Sequence, residues 1–161
     1  MTKRILIIFF SWALVVTTMV VIARFSLQNG EESKQTSQDV IEVVVPNYDE
    51  LSSTKQSNIT LSVRKLAHFS IYLLLGLTLS NAFLHTLTLP KLYTAFLSLF
   101  TACVYSLFDE FVYQASSVGR APQFLDVFID ISGAVLGIST YFFVIIIYNL
   151  IKSKRKKELS K

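Results

Sequence analysis

Three short stretches of the chain hold side chains that could do chemistry. Lys65, His68 and Tyr72 are spaced i, i+3, i+7, which on a helix sets all three on one face. Asp109, Glu110 and Gln114 form a second group, with Glu110 and Gln114 at i, i+4, and Arg120 follows after a short loop. Asp126 and Asp130, again i, i+4, form the third. An imidazole beside carboxylates can pass protons, so His68 oriented by Asp109 or Glu110 is the candidate catalytic set, with Arg120 stabilising developing negative charge. The same residues can bind instead of react: Arg120 offers a bidentate fork to phosphate and Lys65 a point charge. Tyr72, Gln114, Asp126 and Asp130 then complete a polar ligand-binding set. Histidine with Asp and Glu also suits zinc or manganese, but there is no H-E-x-x-H or similar spacing. The sequence therefore calls for no cofactor and assigns no metal ligands, and leaves a divalent metal compatible.

The elements that position these residues are apolar blocks of membrane length. Of 161 residues, 52% are hydrophobic, and they come in long runs rather than alternating with polar residues as in a water-soluble domain. The first run covers residues 5–23 behind the basic start Lys3-Arg4. It is too long for a signal-peptide core and lacks a clear cleavage pattern, so an uncleaved helix over 1–25 is expected. Residues 26–63 read as an extracytoplasmic polar loop, in which Asp39 to Val45 suits a short strand or a partner-binding segment as well as irregular chain. Three further helices are expected over about 66–89, 92–112 and 125–151, making a core of residues 64–151. The link at Pro90-Lys91 is so short that the second and third spans must be an antiparallel hairpin. Gly76, and Gly133 with Gly137 in a G-x-x-x-G, read as helix-packing residues. Residues 152–161 form a basic tail, which fits an anionic-lipid and orientation signal rather than a nucleic-acid site. The single cysteine, Cys103, lies within an apolar run and has no partner for an intramolecular disulfide.

Charge distribution sets the expected orientation. With four spans, the ends and the Pro90-Lys91 turn share one side, carrying nine basic residues against one acidic for a net +8. The other side carries six basic and ten acidic residues, net −4, and the two together give the overall +4. The positive-inside rule then puts both termini in the cytoplasm and the three polar groups at the outer face. There they converge on one external pocket. Charged groups at the mouths of spans are costly in lipid and point to a function or to pairing.

These residues also resemble a known family. Lys65-x-x-His68-x-x-x-Tyr72-x-x-x-Gly76 resembles the first motif of VanZ-like membrane proteins. Asp109-Glu110-x-x-x-Gln114, Gly119-Arg120 and Asp126-x-x-x-Asp130-x-x-Gly133-x-x-x-Gly137 resemble the second. The resemblance covers residues 64–138 and keeps motif order and spacing. It departs at Asp130, where the family often has Asn, and it leaves residues 26–63 unmatched. It implies a small multi-pass protein of the bacterial cytoplasmic membrane, in a family named for lowered susceptibility to teicoplanin-type glycopeptide antibiotics. Such drugs act on lipid-linked cell-wall precursor outside the membrane, which agrees with an outward-facing site.

Three functions are therefore expected alternatives. The first is recognition of a membrane lipid headgroup or lipid-linked cell-wall precursor. The second is an outer-leaflet enzyme that modifies such a lipid through His68 with Asp109 or Glu110. The third is a scaffold in which Arg64, Lys65 and Arg120 pair with Asp109, Glu110, Asp126 and Asp130 between helices. Composition gives no nucleic-acid partner.

Overall fold

The computed structural model describes residues 2–158; Met1 and residues 159–161, including the Lys161 of the charge balance, lie outside the described residues. Among the described residues there are five α-helices and no strand. They are α1 (Thr2–Ser26), α2 (Gly30–Val44), α3 (Ser53–Thr86), α4 (Lys91–Phe108) and α5 (Phe124–Glu158). A 3₁₀ turn, Tyr48–Glu50, precedes α3, and a π-helical turn, Asp109–Gln114, prolongs α4.

Four of these segments are long and apolar enough to cross a membrane: α1, α3, α4 with its π-turn, and α5. Their outward faces carry Phe9, Phe10, Phe96 and Phe143, all exposed on the bundle surface. A water-soluble bundle would bury such residues; in lipid they meet a solvent as apolar as themselves. The chain is a multi-pass membrane protein.

The inside of the bundle is held by close backbone approach rather than by bulk. A Cβ added at Gly76 would strike the carbonyl of Ala134, one at Gly133 the carbonyl of Phe69, and one at Gly137 the carbonyl of Leu73. Glycine is thus required along the whole α3–α5 crossing, where the two main chains touch. Around this crossing Tyr72, Leu75, Leu79, Ala82, Ala102 and Ala134 form a buried core with Val15 and Ile22 of α1. Side-chain hydrogen bonds tie α1 to its neighbours. Trp12 Nε1 donates to Thr86 Oγ1 (2.9 Å), Asn81 Nδ2 to Ser11 Oγ (2.8 Å), and Tyr105 Oη to the Met19 carbonyl (2.6 Å). With no water to compete in the hydrocarbon layer, such bonds select one register of helix against helix.

The polar segment 26–63 is where the sequence reading needs correction. It is mostly helical. Asn29 accepts from the Glu32 amide (2.9 Å) while Glu32 accepts from the Asn29 amide (3.1 Å), a reciprocal cap that starts α2. Ser33, Ser37 and Ile41, four apart, form its buried stripe. The run Asp39 to Val45 is therefore no strand: it holds the last turns of α2, and its β-branched residues follow the helix that the cap and the buried stripe impose. The second span also starts earlier than expected, at Ser53 rather than near residue 66. Tyr48 fixes that start by pairing its hydroxyl with Thr60 Oγ1 (2.9 Å) and donating to the Gln56 carbonyl (3.1 Å). Arg64, Lys65 and His68 accordingly lie inside a continuous helix, not in its first turn. At the other end α5 continues through Glu158, so the basic residues 152–157 are helical. At ~1.5 Å per residue α3 and α5 are each about 50 Å long, well beyond a ~30 Å hydrocarbon core.

Candidate functional site

The site is built where α1 ends, α4 turns into its π-helical segment and α5 begins. A π-turn winds more widely than an α-helix and marks local re-aiming of side chains. Here it turns Asp109, Glu110 and Gln114 all inward, each essentially fully buried. Glu110 joins the π-turn to α5. Its Oε1 accepts from the Gln123 amide just ahead of Phe124 (2.6 Å), and its Oε2 accepts from Gln114 Nε2. A carboxylate on an otherwise unpaired amide at a helix start is favourable both as a hydrogen bond and against the helix dipole. Glu110 and Gln114 are thereby occupied with each other and with α5.

His68, from α3, meets the second carboxylate layer. Its Nδ1 lies 3.1 Å from Asp130 Oδ1, and Ser106 Oγ donates to Asp130 Oδ2 at 2.8 Å. The carboxylate that orients the imidazole is thus Asp130, rather than Asp109 or Glu110 as the spacing suggested. Asp109 sits beside this pair: one ligand-type atom from each of His68, Asp109 and Asp130 falls within 4.8 Å of the others. Both Asp109 oxygens are buried with no hydrogen-bond partner among the described residues, as is the Tyr72 hydroxyl. Tyr72 is therefore a core residue, its ring centre 6.5 Å from that of Tyr105, and not an aromatic at the membrane surface.

Arg120 does something the sequence did not suggest. Its guanidinium donates from Nη1 to the Ser26 carbonyl (3.0 Å) and the Phe25 carbonyl (3.2 Å), and from Nη2 to Ser33 Oγ (2.7 Å). It satisfies the free carbonyls at the end of α1 and ties them to α2. Ser117 Oγ also donates to the Ser26 carbonyl (3.1 Å), and the Gly30 amide donates to the Val118 carbonyl (2.9 Å). A Cβ at Gly30 would come within 2.8 Å of the Gly119 carbonyl, and Gly119 itself has φ +77°, so this crossing needs both glycines.

A cavity of about 490 Å³ opens against His68 and Arg120. Ile22 and Phe25 of α1, Val40 of α2, and Ile71 and Leu74 of α3 form apolar walls, and Arg64 provides a second cation. None of the described carboxylates lines it. Burial, and after it the charge of Arg64, hold the Arg120 pKa below its ordinary value. Arg64 makes no hydrogen bond among the described residues, and its Nε is buried without a partner. Two cations and an imidazole thus face one apolar hollow, with the acids stacked behind the imidazole.

Of the nine residues singled out from the sequence, six come together around the buried layer: His68, Tyr72, Asp109, Glu110, Gln114 and Asp130. Arg120 borders the cavity from the loop. Asp126 is half-buried and its carboxylate makes no hydrogen bond among the described residues. Lys65 is exposed and outside the cavity lining, whereas its neighbour Arg64 lines it. Among the described residues no carboxylate lies within ion-pair distance of Arg64, Lys65 or Arg120, and the ion pair found in the site is His68–Asp130. Ser26, Ser33 and Ser106 were missed. Ser106 had a signal, because Thr94, Ser98, Ala102 and Ser106 recur every four residues along the buried face of α4.

The fold and site together define a four-span helical membrane protein with a buried acid–imidazole layer at one end of the bundle. The family model described as VanZ/LLP1 matches residues 9–148, and the chain belongs to that family. No match to it is found among the curated proteins or among the solved structures.

Proposed function

We propose that this VanZ-like protein recognises a phosphate-bearing membrane lipid, either a headgroup lipid or a lipid-linked cell-wall precursor, at the outer face of the bacterial cytoplasmic membrane. Both termini are then cytoplasmic, following the loop charges. The observation that carries this reading is the composition of the cavity. Arg64, Arg120 and His68 suit an anionic group, and Ile22, Phe25, Val40, Ile71 and Leu74 suit the chain attached to it. Arg64 and Arg120 repel each other across the cavity, an arrangement that an anion between them relieves, which supports a ligand with at least one phosphate. A role in lowering susceptibility to teicoplanin-type glycopeptides would follow from sequestering or masking precursor there.

The test is lipid binding by the full chain in nanodiscs of neutral lipid, titrated with a polyprenyl phosphate. Saturable binding that Arg64→Ala weakens supports the reading; equal binding of a neutral polyprenol of the same length overturns it. Teicoplanin susceptibility of cells expressing the protein, with and without Arg64→Ala, tests the physiological extension.

A second reading rests on the His68–Asp130 pair at the back of the cavity. A histidine held by a buried carboxylate is equipped to take or give a proton, which supports a lipid-modifying enzyme with His68 as the acid–base group. Mass spectrometry of lipids incubated with the protein, compared with His68→Gln, separates turnover from binding.

A further inference from the structure

The buried face of the site has a feature that neither lipid binding nor proton transfer accounts for, the unpartnered carboxylate of Asp109. We infer that His68, Asp109 and Asp130 form a binding site for one divalent transition-metal ion, of the Zn²⁺ or Mn²⁺ class, directly behind the cavity. The inference stands on the side-chain geometry and holds whether or not a lipid occupies the cavity.

Geometry comes first. Donors on one ion at ~2.1 Å are at most about 4.2 Å apart, and adjacent ones are about 3.0–3.4 Å apart. His68 Nδ1 and Asp130 Oδ1, 3.1 Å apart, already match an adjacent pair. One ligand-type atom from each of His68, Asp109 and Asp130 lies within 4.8 Å of the others, so side-chain movement of about 1 Å closes them on a single ion. One imidazole nitrogen and two carboxylate oxygens form a borderline-hard set, suited to zinc or manganese rather than to a soft ion.

The second observation is independent of the clustering. Asp109 is fully buried, and neither of its oxygens has a hydrogen-bond partner among the described residues. A buried carboxylate without a partner is costly, more so next to a second one. No hydrogen bond relieves it among the described residues. Glu110 faces Gln123 and Gln114, and Ser106 is spent on Asp130. The Ser26 side chain lies close to Asp109 but forms no hydrogen bond with it, and Arg120, near enough to attract it, spends its N–H groups on the Phe25 and Ser26 carbonyls and on Ser33. A divalent ion would satisfy Asp109 and cancel the charge of both aspartates. The support expected around a metal is also present, since Ser106 fixes the outer oxygen of Asp130 in the way that outer hydrogen bonds orient ligands. With three protein ligands, at least one coordination position would remain open.

The test uses the full-length protein in nanodiscs, stripped with chelator and titrated with Mn²⁺ under electron paramagnetic resonance. One bound Mn²⁺ per chain is expected, with nitrogen hyperfine coupling that changes when histidine is ¹⁵N-labelled. The chain has two histidines, and His85 lies exposed at the far end of α3, so His85→Gln must keep the coupling. Asp109→Asn should lower affinity by more than the ~10–100-fold that losing an outer-shell partner costs. Absence of saturable binding to the wild type, or bound Mn²⁺ without nitrogen coupling, overturns the inference. So does a folded Asp109→Asn variant of undiminished affinity, or loss of the coupling in His85→Gln. Should Asp109→Asn fail to fold, the wild-type coupling and its ¹⁵N change still decide. A proton shared between the two aspartates, the competing arrangement, predicts no saturable binding.

Discussion

His68 Nδ1 and Asp130 Oδ1 stand 3.1 Å apart across sixty-two residues of chain. The contact joins α3 to α5 in the buried layer of the site, and Ser106 completes it from α4. Three spans therefore meet at one carboxylate. Replacing Asp130 by Leu removes the acceptor from both His68 and Ser106 and should lower stability by about 1–3 kcal/mol. Asp130→Asn, which keeps an acceptor oxygen, should lose less. Thermal unfolding in detergent, comparing the two variants, checks the order.

Substitution at the glycines of the α3–α5 crossing should be felt even when the new side chain is small. The atoms that a Cβ at Gly133 or Gly137 would strike are main-chain atoms of Phe69 and Leu73, which cannot rotate away. Gly133→Ala and Gly137→Ala should each cost about 1–3 kcal/mol, the range for forcing extra volume into packed structure. Reduced membrane abundance together with a lower unfolding midpoint is the expected result.

Arg120 holds α2 against the end of α1. Arg120→Ala removes three hydrogen bonds from a charged donor and should cost about 2 kcal/mol. The loss should be local. Hydrogen exchange in Gly30–Val44 should speed up while α3 and α5 stay protected, and Arg120→Lys should restore only part of the protection because it lacks the planar fork.

Arg64 and Lys65 separate binding from stability. Arg64 faces the cavity and makes no hydrogen bond among the described residues, so Arg64→Ala should change the unfolding midpoint little while weakening the binding of an anionic lipid. Lys65→Ala should leave both nearly unchanged, since Lys65 is exposed and outside the cavity. Ligand titration beside thermal unfolding of both variants distinguishes the two neighbours.

Orientation can be read directly. In a Cys103→Ser background, a cysteine at exposed Ser57 should label from outside intact cells and one at exposed Ser153 should not. Labelling of position 153 from outside would reverse the arrangement.

Much of the architecture was legible because spans in lipid need long apolar runs, and 5–23, 92–108 and the body of α5 are such runs. The start of α3 was not legible: Ser53 to Val63 is polar, and its helix depends on Tyr48 and Thr60 meeting in space. The same holds for α2, whose cap is visible at Asn29 and Glu32 but whose buried stripe of Ser33, Ser37 and Ile41 looks hydrophilic until Arg120 and the cavity are placed beside it. Within the site, residue types and helical spacing brought out His68 and the acids, since ionisable groups near spans are costly. Partner choice was hidden. Whether His68 meets Asp109, Glu110 or Asp130 depends on the π-turn, and no spacing rule reveals a widened turn.

The glycine-lined contact of α3 and α5 also has a mechanical meaning. Two main chains touching at three successive points cannot slide without collision, so these helices behave as a single spine that carries His68 and Asp130 at fixed separation. The opposite wall of the cavity does not belong to this spine. That wall is the end of α1 with α2, fastened by Arg120, by Ser117 and by a pair of crossing glycines. The protein is in this sense a rigid anvil with a latched cover, and Arg120 is the latch.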